Sequence, residues 1–367
     1  MAYDYLVVGS GLFGSVFAHE LRARGRRVLV VEQRPQVGGN VYTERRDGVT
    51  VHVYGPHIFH TSRQEVWEYV NRLLFFKPVC YSPIARYGDE VYSLPFSMYT
   101  FQALWGVRTP AEAAARLAEE RAAYAEVVPG YLEEQALKLV GRTVYEKLIK
   151  GYTEKQWGRP CDELPPFIIR RLPVRLTYNN SYFNDTWQGI PCDGYTALIE
   201  RLLDGVEVRT GVDFLAQRGE FSGMASKVLF TGRIDAYYDA CFGALEYRSL
   251  RFETEVLPIE NYQGTAVVNY TAGNVPYTRV TEHKHFLGEV SPATVVTHEY
   301  PMAWRSGAEP YYPVNDAHND ALYGRYAARA AAEPGVIFGG RLGMYRYYNM
   351  DEIVAQALEL VQREVSG

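Results

Sequence analysis

Gly9, Gly11 and Gly14 stand in the spacing GxGxxG within Gly9-Ser10-Gly11-Leu12-Phe13-Gly14. That spacing suits the phosphates of a dinucleotide. The first glycine permits a tight turn, the second lets the backbone approach a pyrophosphate, and the third lets a helix pack close on a strand. A helix opening here would aim unpaired N–H groups and a partial positive charge at the anion. Glu32 follows at the distance where an acidic side chain accepts hydrogen bonds from ribose hydroxyls.

Two further groups of residues could do chemistry. Tyr54-Gly55-Pro56-His57-Ile58-Phe59-His60-Thr61 places two histidines beside a Gly-Pro turn. They could line a cofactor pocket, or could simply satisfy loop backbone. No third ligand is near, so no metal centre is expected. Arg170-Arg171-Leu172-Pro173-Val174-Arg175 and Tyr277-Thr278-Arg279, the latter followed by Glu282, His283, Lys284 and His285, are two arginine clusters far apart in sequence. Arginine binds phosphate bidentately and keeps its charge. The clusters could converge on a diphosphate; the alternative is solvated surface charge.

The elements that must position these groups can be read from periodicity. Residues 3–8 form a short apolar strand, a helical pattern follows Gly14 to Arg24, and Arg27 to Glu32 form a second strand. This is a βαβ unit. A helix is expected over 64–76 and a hairpin over 84–95 around Tyr87-Gly88-Asp89. Thr109-Pro110-Ala111-Glu112 is a capping box with proline at the first helical position. It opens a helix to about residue 127, with more helix over 131–139 and 142–156. A helix over 194–204 precedes the strand Val206 to Arg209, and another strand spans 226–231. Residues 245–300 alternate as an antiparallel sheet does. Val336 to Phe338 is a strand, Gly339-Gly340 a turn, and Met350 to Glu364 a helix. A discontinuous nucleotide-binding domain results, its first strand and last helix belonging to one layer system.

A chain of 367 residues is long enough for two or three domains. A net charge of −5 gives no electrostatic reason to expect nucleic acid as a partner. The 30 tyrosines suit half-buried sheets, and also sites that stack rings and hydrogen-bond hydroxyls. Cys80, Cys161, Cys192 and Cys241 form no CxxC pair, as in a reducing cytoplasm. No signal peptide or membrane span is expected.

Arg34 and the pair Gly38-Gly39, followed by Asn40, resemble the FAD-binding pattern of amine-oxidase-like flavoproteins. No second GxGxxG is present to serve a separate nicotinamide domain. Phe338-Gly339-Gly340-Arg341 stands where such proteins return a late strand to the flavin, unless it is an ordinary turn.

Longer motifs narrow the resemblance. Tyr152-Thr153-Glu154-Lys155-Gln156-Trp157, the Arg-Leu-Pro-Val-Arg block with Tyr182-Phe183-Asn184-Asp185, the Gln188-Gly189-Ile190-Pro191 turn, Tyr277-Thr278-Arg279 before Glu282 to Phe286, and Pro310-Tyr311-Tyr312-Pro313 resemble the bacterial UDP-galactopyranose mutases over nearly the whole chain. The resemblance implies an α/β fold: a discontinuous Rossmann-like FAD-binding domain (1–64, 188–235 and 314–367), an inserted helical-bundle domain (65–80 and 97–165) and an antiparallel β-sheet domain (81–96, 166–187 and 236–313). It implies interconversion of UDP-galactopyranose and UDP-galactofuranose by covalent catalysis through N5 of reduced FAD, in a cytoplasmic homodimer with a mobile loop near Arg171.

Residue by residue, Arg171 and Arg279 would hold the diphosphate and His57 would sit at the flavin. Tyr152 would stack on the uracil, with Thr153 and Trp157 nearby on one helix face. Tyr182, Phe183, Asn269, Tyr312 and Tyr347 would complete the substrate pocket. Gly9, Gly11, Phe13, Gly14, Glu32, Gln33, Gly39, Asn40, His57 and Arg341 would hold FAD. Two positions depart from the family pattern. Asn349 stands where aspartate is usual, and Tyr81 where asparagine is common near the sugar. The larger Tyr81 would reshape the sugar pocket, so a 6-deoxy or otherwise modified UDP- or dTDP-sugar is an open alternative. Rival readings from other classes are an amine-oxidase-like flavin oxidoreductase and a non-catalytic sugar-nucleotide or flavin-binding protein.

Overall fold

The strand Tyr3–Val8 is apolar at consecutive positions because both its faces are covered. In the computed structural model, which describes residues 1–169 and 172–366, it is the centre of a five-stranded sheet. The strand order is Glu207–Thr210, Val28–Glu32, Tyr3–Val8, Ala225–Phe230 and Val336–Phe338, and every pairing is parallel. The helix Leu12–Ala23 follows the glycine turn and packs against the last helix, Met350–Ser366. Val16, Phe17 and Leu21 meet Ile353, Val354 and Val361 in the largest core cluster. The first and last parts of the chain thus form one layered unit, as expected.

Gly14 permits this packing. A Cβ there would lie 2.1 Å from the Gly9 carbonyl oxygen and 3.1 Å from Val7 Cγ1. Gly14→Ala must push the helix off the strand. It is expected to lower stability by roughly 1–3 kcal/mol, read as a lower urea midpoint at unchanged slope. A wild-type midpoint would show that the helix can shift freely.

The second sheet has seven strands, in the order Tyr312–Pro313, Tyr247–Leu257, Thr294–Ala303, Arg279–Glu282, Val267–Tyr270, Ile84–Tyr87 and Glu90–Ser93. It is antiparallel except where Val267–Tyr270 pairs parallel with Ile84–Tyr87. A hairpin turn forces antiparallel pairing on its strands. These two strands share no such turn, because the helical insertion lies between them in sequence.

That insertion contains Met98–Trp105, Pro110–Arg121, Leu132–Val144, a π-helical turn Tyr145–Lys150 and Gly151–Trp157, around its own core. The Thr109 box forms as read: its Oγ1 accepts from Glu112 N at 3.2 Å, and the Glu112 carboxylate accepts from Thr109 N. The expected break between residues 139 and 142 is Gly141, with φ +79° against Glu120.

Two expectations change. The helix expected over 64–76 stops at Leu73, because Phe76 enters the strand Phe76–Pro78 and is buried. The segment expected as a turn at Gln188 lies in the strand Trp187–Pro191, which pairs with Phe76–Pro78 and Phe59–Thr61. Among the described residues, no helix is long and apolar enough to cross a membrane.

Candidate functional site

Strand register assembles the centre of the site. Asn269 pairs with Arg279, and Arg279 with Glu299. Side chains of directly paired residues project to the same face, so these three stand in one row across adjacent strands. The row lines a cleft of about 1730 Å³. An Arg279 terminal nitrogen donates to Glu299 Oε1 at 2.8 Å. Burial works against the Arg279 charge, but the Glu299 carboxylate together with Tyr152, Tyr312 and Tyr81 more than offsets it and holds the pKa well above the ordinary arginine value. Arg279 Nε, Glu299 Oε2 and Asn269 Oδ1 are buried with no hydrogen-bond partner among the described residues. Unpaired buried polar atoms are costly; in a cleft they mark where a ligand completes the pairing.

The opposite wall comes from the loop after His52. Gly55, with φ +95°, brings this loop within contact of Phe252 and Glu299. His57 Nδ1 bonds the Gly55 carbonyl at 2.7 Å, which fixes a tautomer with Nδ1 as donor and leaves Nε2 as an acceptor. Burial pulls the His57 pKa down to about 4, and the charges of Arg341 and Arg279 push the same way. His57 is therefore neutral at pH 7.

Arg341 donates to Tyr311 O at 3.1 Å, and its guanidinium lies 4.6 Å from the Tyr347 ring centroid. Its Nε also lacks a partner among the described residues. Tyr312 stacks on Tyr347 at 5.8 Å. Tyr81 stacks on Phe183 at 5.5 Å and meets Tyr182 edge-on at 5.6 Å. Phe183 stacks on His60, which donates to Asp185 at 2.6 Å.

Tyr152, Trp157, Tyr182, Phe183, Tyr347 and Asn349 all line the cleft. Thr153 does not; it lines an adjoining cavity of about 180 Å³, together with Tyr152 and Trp157. The shared helix face of Thr153 and Trp157 is therefore as expected. The Asn349 backbone N–H donates to Glu352 Oε2 at 2.8 Å at the start of the last helix.

The glycine loop lies at the carboxyl end of the central strand Tyr3–Val8 of the parallel sheet. Gly9 adopts φ +105°, and a Cβ on Gly39 would fall 2.9 Å from Gly11 Cα. Two glycine runs thus make a bare backbone cradle. Phe13 packs beneath Gly339, where a Cβ would be 2.3 Å from its ring. Glu32 accepts from Ser10 N and Ser10 Oγ at 2.8 and 2.7 Å, and from Arg34 N at 2.9 Å. A carboxylate has about four acceptor positions, so one remains for a hydroxyl donor. Gln33 continues from this strand, while Asn40, which lines the cleft, accepts from Arg34 at 2.8 Å.

Of the two arginine clusters, Arg279 faces the cleft. Arg175 does not: its guanidinium binds the Ser181, Asn179 and Phe183 carbonyls and the Asn184 side chain, and so braces its own loop. Arg170 and Arg171 lie outside the described residues. Sequence reasoning missed Glu299. Its signal is a lone acid two residues beyond Thr297, in phase with inward positions of a buried strand.

These features define a Rossmann-type nucleotide-binding protein in which a helical insertion and a second sheet close a polar cleft beside the glycine loop. Residues 7–73 match the model for an NAD(P)-binding Rossmann-like domain, and residues 147–347 match that for UDP-galactopyranose mutase. The chain is 39% identical to a protein described as "Probable UDP-galactopyranose mutase" from Klebsiella pneumoniae, over 99% of this chain and 95% of that one. It is 36% identical to a dTDP-fucopyranose mutase from Escherichia coli, over 97% of each chain. A crystal structure of reduced UDP-galactopyranose mutase superposes with a TM-score of 0.77, covering 100% of this chain and 94% of the other; at 12% identity that likeness concerns the fold. The chain belongs to the UDP-galactopyranose mutase family, and is an isomerase.

Proposed function

We propose that the protein interconverts UDP-galactopyranose and UDP-galactofuranose, with FAD as its cofactor, active when reduced. The observation that carries this is the row Asn269–Arg279–Glu299, with its unpaired polar atoms, facing His57 and Arg341 across one cleft.

The residues present suit FAD. The cradle of Gly9, Gly11 and Gly39 would take the pyrophosphate, helped by the N-terminus of the helix that Gly14 seats on the sheet. Glu32 has an acceptor position left for a ribose hydroxyl, and Gln33, Asn40, His57 and Arg341 would complete the site. When bound and reduced, the flavin supplies at N5 the electron pair for covalent catalysis at the anomeric carbon. The chain's own work is orientation and charge. Arg279, with Arg171, would balance the diphosphate charge that grows as the sugar–phosphate bond breaks. Tyr152 offers a ring for the uracil, with Thr153 and Trp157 beside it. Tyr182, Phe183, Asn269, Tyr312, Tyr347 and Asn349 would enclose the sugar and ribose. Neutral His57 can accept a hydrogen bond at Nε2 without adding positive charge.

The purified protein should be yellow and should convert UDP-galactofuranose to UDP-galactopyranose only after dithionite reduction. Turnover that instead requires an electron acceptor would sink the proposal in favour of an oxidoreductase.

Tyr81 favours a second reading. Its ring, with Phe183 and Tyr182, makes an aromatic wall beside Arg279, which suits an apolar substituent better than a hydroxyl. The family also includes the dTDP-fucopyranose mutase cited above. The substrate would then be a 6-deoxy nucleotide sugar. Tyr81→Asn is expected to shift relative kcat/KM from dTDP-fucofuranose toward UDP-galactofuranose by about tenfold or more. A panel of these two with UDP-N-acetylgalactofuranose checks it. A ratio unmoved by the substitution removes Tyr81 from specificity.

A further inference from the structure

The motif Tyr152 to Trp157 contains a lysine that faces away from the cleft chemistry. Lys155 Nζ donates to three backbone carbonyls: Tyr270 at 2.7 Å, Ala272 at 3.0 Å and Tyr277 at 2.9 Å. An ammonium has three donors, so all are used. The three acceptors belong to one turn, the connection between Val267–Tyr270 and Arg279–Glu282. Those two strands carry Asn269 and Arg279.

A second contact joins the same parts. A Cβ on Gly151 would lie 2.4 Å from Thr271 O and 2.7 Å from Gly273 N. Only a glycine lets the helix Gly151–Trp157 approach that turn so closely. Thr271 Oγ1 donates back to Lys147 O at 2.7 Å, in the preceding π-helical turn. At the far end of the helix, Arg248 Nε donates to Gln156 O at 2.9 Å. The short helix bearing Tyr152 and Trp157 is thus fixed to the sheet at its start, middle and end.

We propose that Lys155 is a positioning residue, which locks the helix carrying Tyr152 to the hairpin carrying Arg279 and so sets the spacing of the two ends of the nucleotide-sugar site. Burial pulls the Lys155 pKa down to about 8, while pairing of all three protons favours the ammonium. The inference rests on the functional reading above for the identity of the substrate, but not for the coupling itself. A base-stacking ring and a phosphate-binding guanidinium must lie at a fixed separation to grip one rigid ligand, and small misplacement is costly.

Lys155→Met removes the lock, leaving the cofactor cradle untouched. The expected result is a KM for UDP-galactofuranose raised about tenfold or more, with kcat of the saturated enzyme within about threefold of wild type. The bound cofactor's visible spectrum should not change. A substitution that merely weakens folding would lower the melting temperature and leave the KM of the folded fraction alone. Lys155→Arg keeps the charge but presents a planar fork to three convergent carbonyls; it is the gentler variant and should raise KM in the same direction. Hydrogen exchange supplies a readout independent of turnover. Amides of residues 151–157 and 270–278 should exchange faster together in either variant, with those of residues 3–8 unchanged. Wild-type KM with wild-type exchange in the folded variants would overturn the proposal. Altered exchange in the variants, beside a wild-type protein that turns over no nucleotide sugar, would instead overturn the functional reading and leave the coupling standing.

Discussion

Arg279→Lys should lose at least about 100-fold in kcat/KM while the protein still folds and holds its cofactor, and Arg279→Met should lose about 1000-fold or more. The expectation follows from where the charge sits. Arg279 is only 19% exposed, is paired with Glu299 at 2.8 Å, and still has an unpaired Nε. A lysine keeps the charge but loses the planar fork, so it cannot serve the carboxylate and a phosphate at once. A methionine leaves Glu299 buried without its counter-charge, which breaks a buried pair at a cost of about 3–5 kcal/mol. Stability and activity are therefore both at stake, and they separate in Glu299→Gln. That variant keeps an acceptor for Arg279 but leaves its buried charge without a counter-charge, so it should melt below wild type yet lose less turnover than Arg279→Lys. Steady-state kinetics beside thermal melts make the comparison. Activity of Arg279→Lys within about threefold of wild type would take Arg279 out of the chemistry.

The same residue shows what could be read from the chain alone. Arg279 stood out because arginine binds phosphate bidentately and keeps its charge, and the glycine loop with Glu32 stood out because its spacing is short-range and geometric. Helix caps such as Thr109–Glu112 are local too, and formed as read. Features that depend on register were harder to see. Nothing in the sequence says that Asn269, Arg279 and Glu299 share a row, since that follows from pairings between strands about ten to twenty residues apart. Nor does it say that Val267–Tyr270 runs parallel to Ile84–Tyr87. Arg175 looked like a phosphate ligand by type, and became a brace because its loop folds back on it. In the sequence, Lys155 is only one member of the motif Tyr152 to Trp157. Its role depends on three carbonyls more than a hundred residues away.

His283, read as part of the Arg279 cluster, belongs to a buried ladder of histidines that should make the protein acid-labile. His57 N donates to His52 Nδ1 at 3.2 Å, His52 N donates to His283 Nδ1 at 3.2 Å, and His283 Nε2 bonds Thr297 Oγ1 at 2.8 Å. His52 and His283 are 1% exposed. Burial drives all three pKa values down: His283 to about 3, with the charge of Arg46 adding to it, His57 to about 4, and His52 well below its ordinary value. In the unfolded chain each histidine binds its proton near pH 6.5. Between that value and the folded pKa the unfolded state therefore holds more protons, and stability falls as pH falls. The contribution is complete above about pH 6.5, and His283 alone has lost roughly 3 kcal/mol by pH 4. With three such groups, the unfolding free energy should fall by up to about 4 kcal/mol per pH unit near pH 5. Urea midpoints taken from pH 8 to pH 4 measure this slope. His283→Gln, which cannot titrate, should make it shallower by about one proton. A midpoint flat from pH 7 to pH 5 would mean that the ladder accepts protons while folded, and would also leave His57 charged where a neutral acceptor is needed.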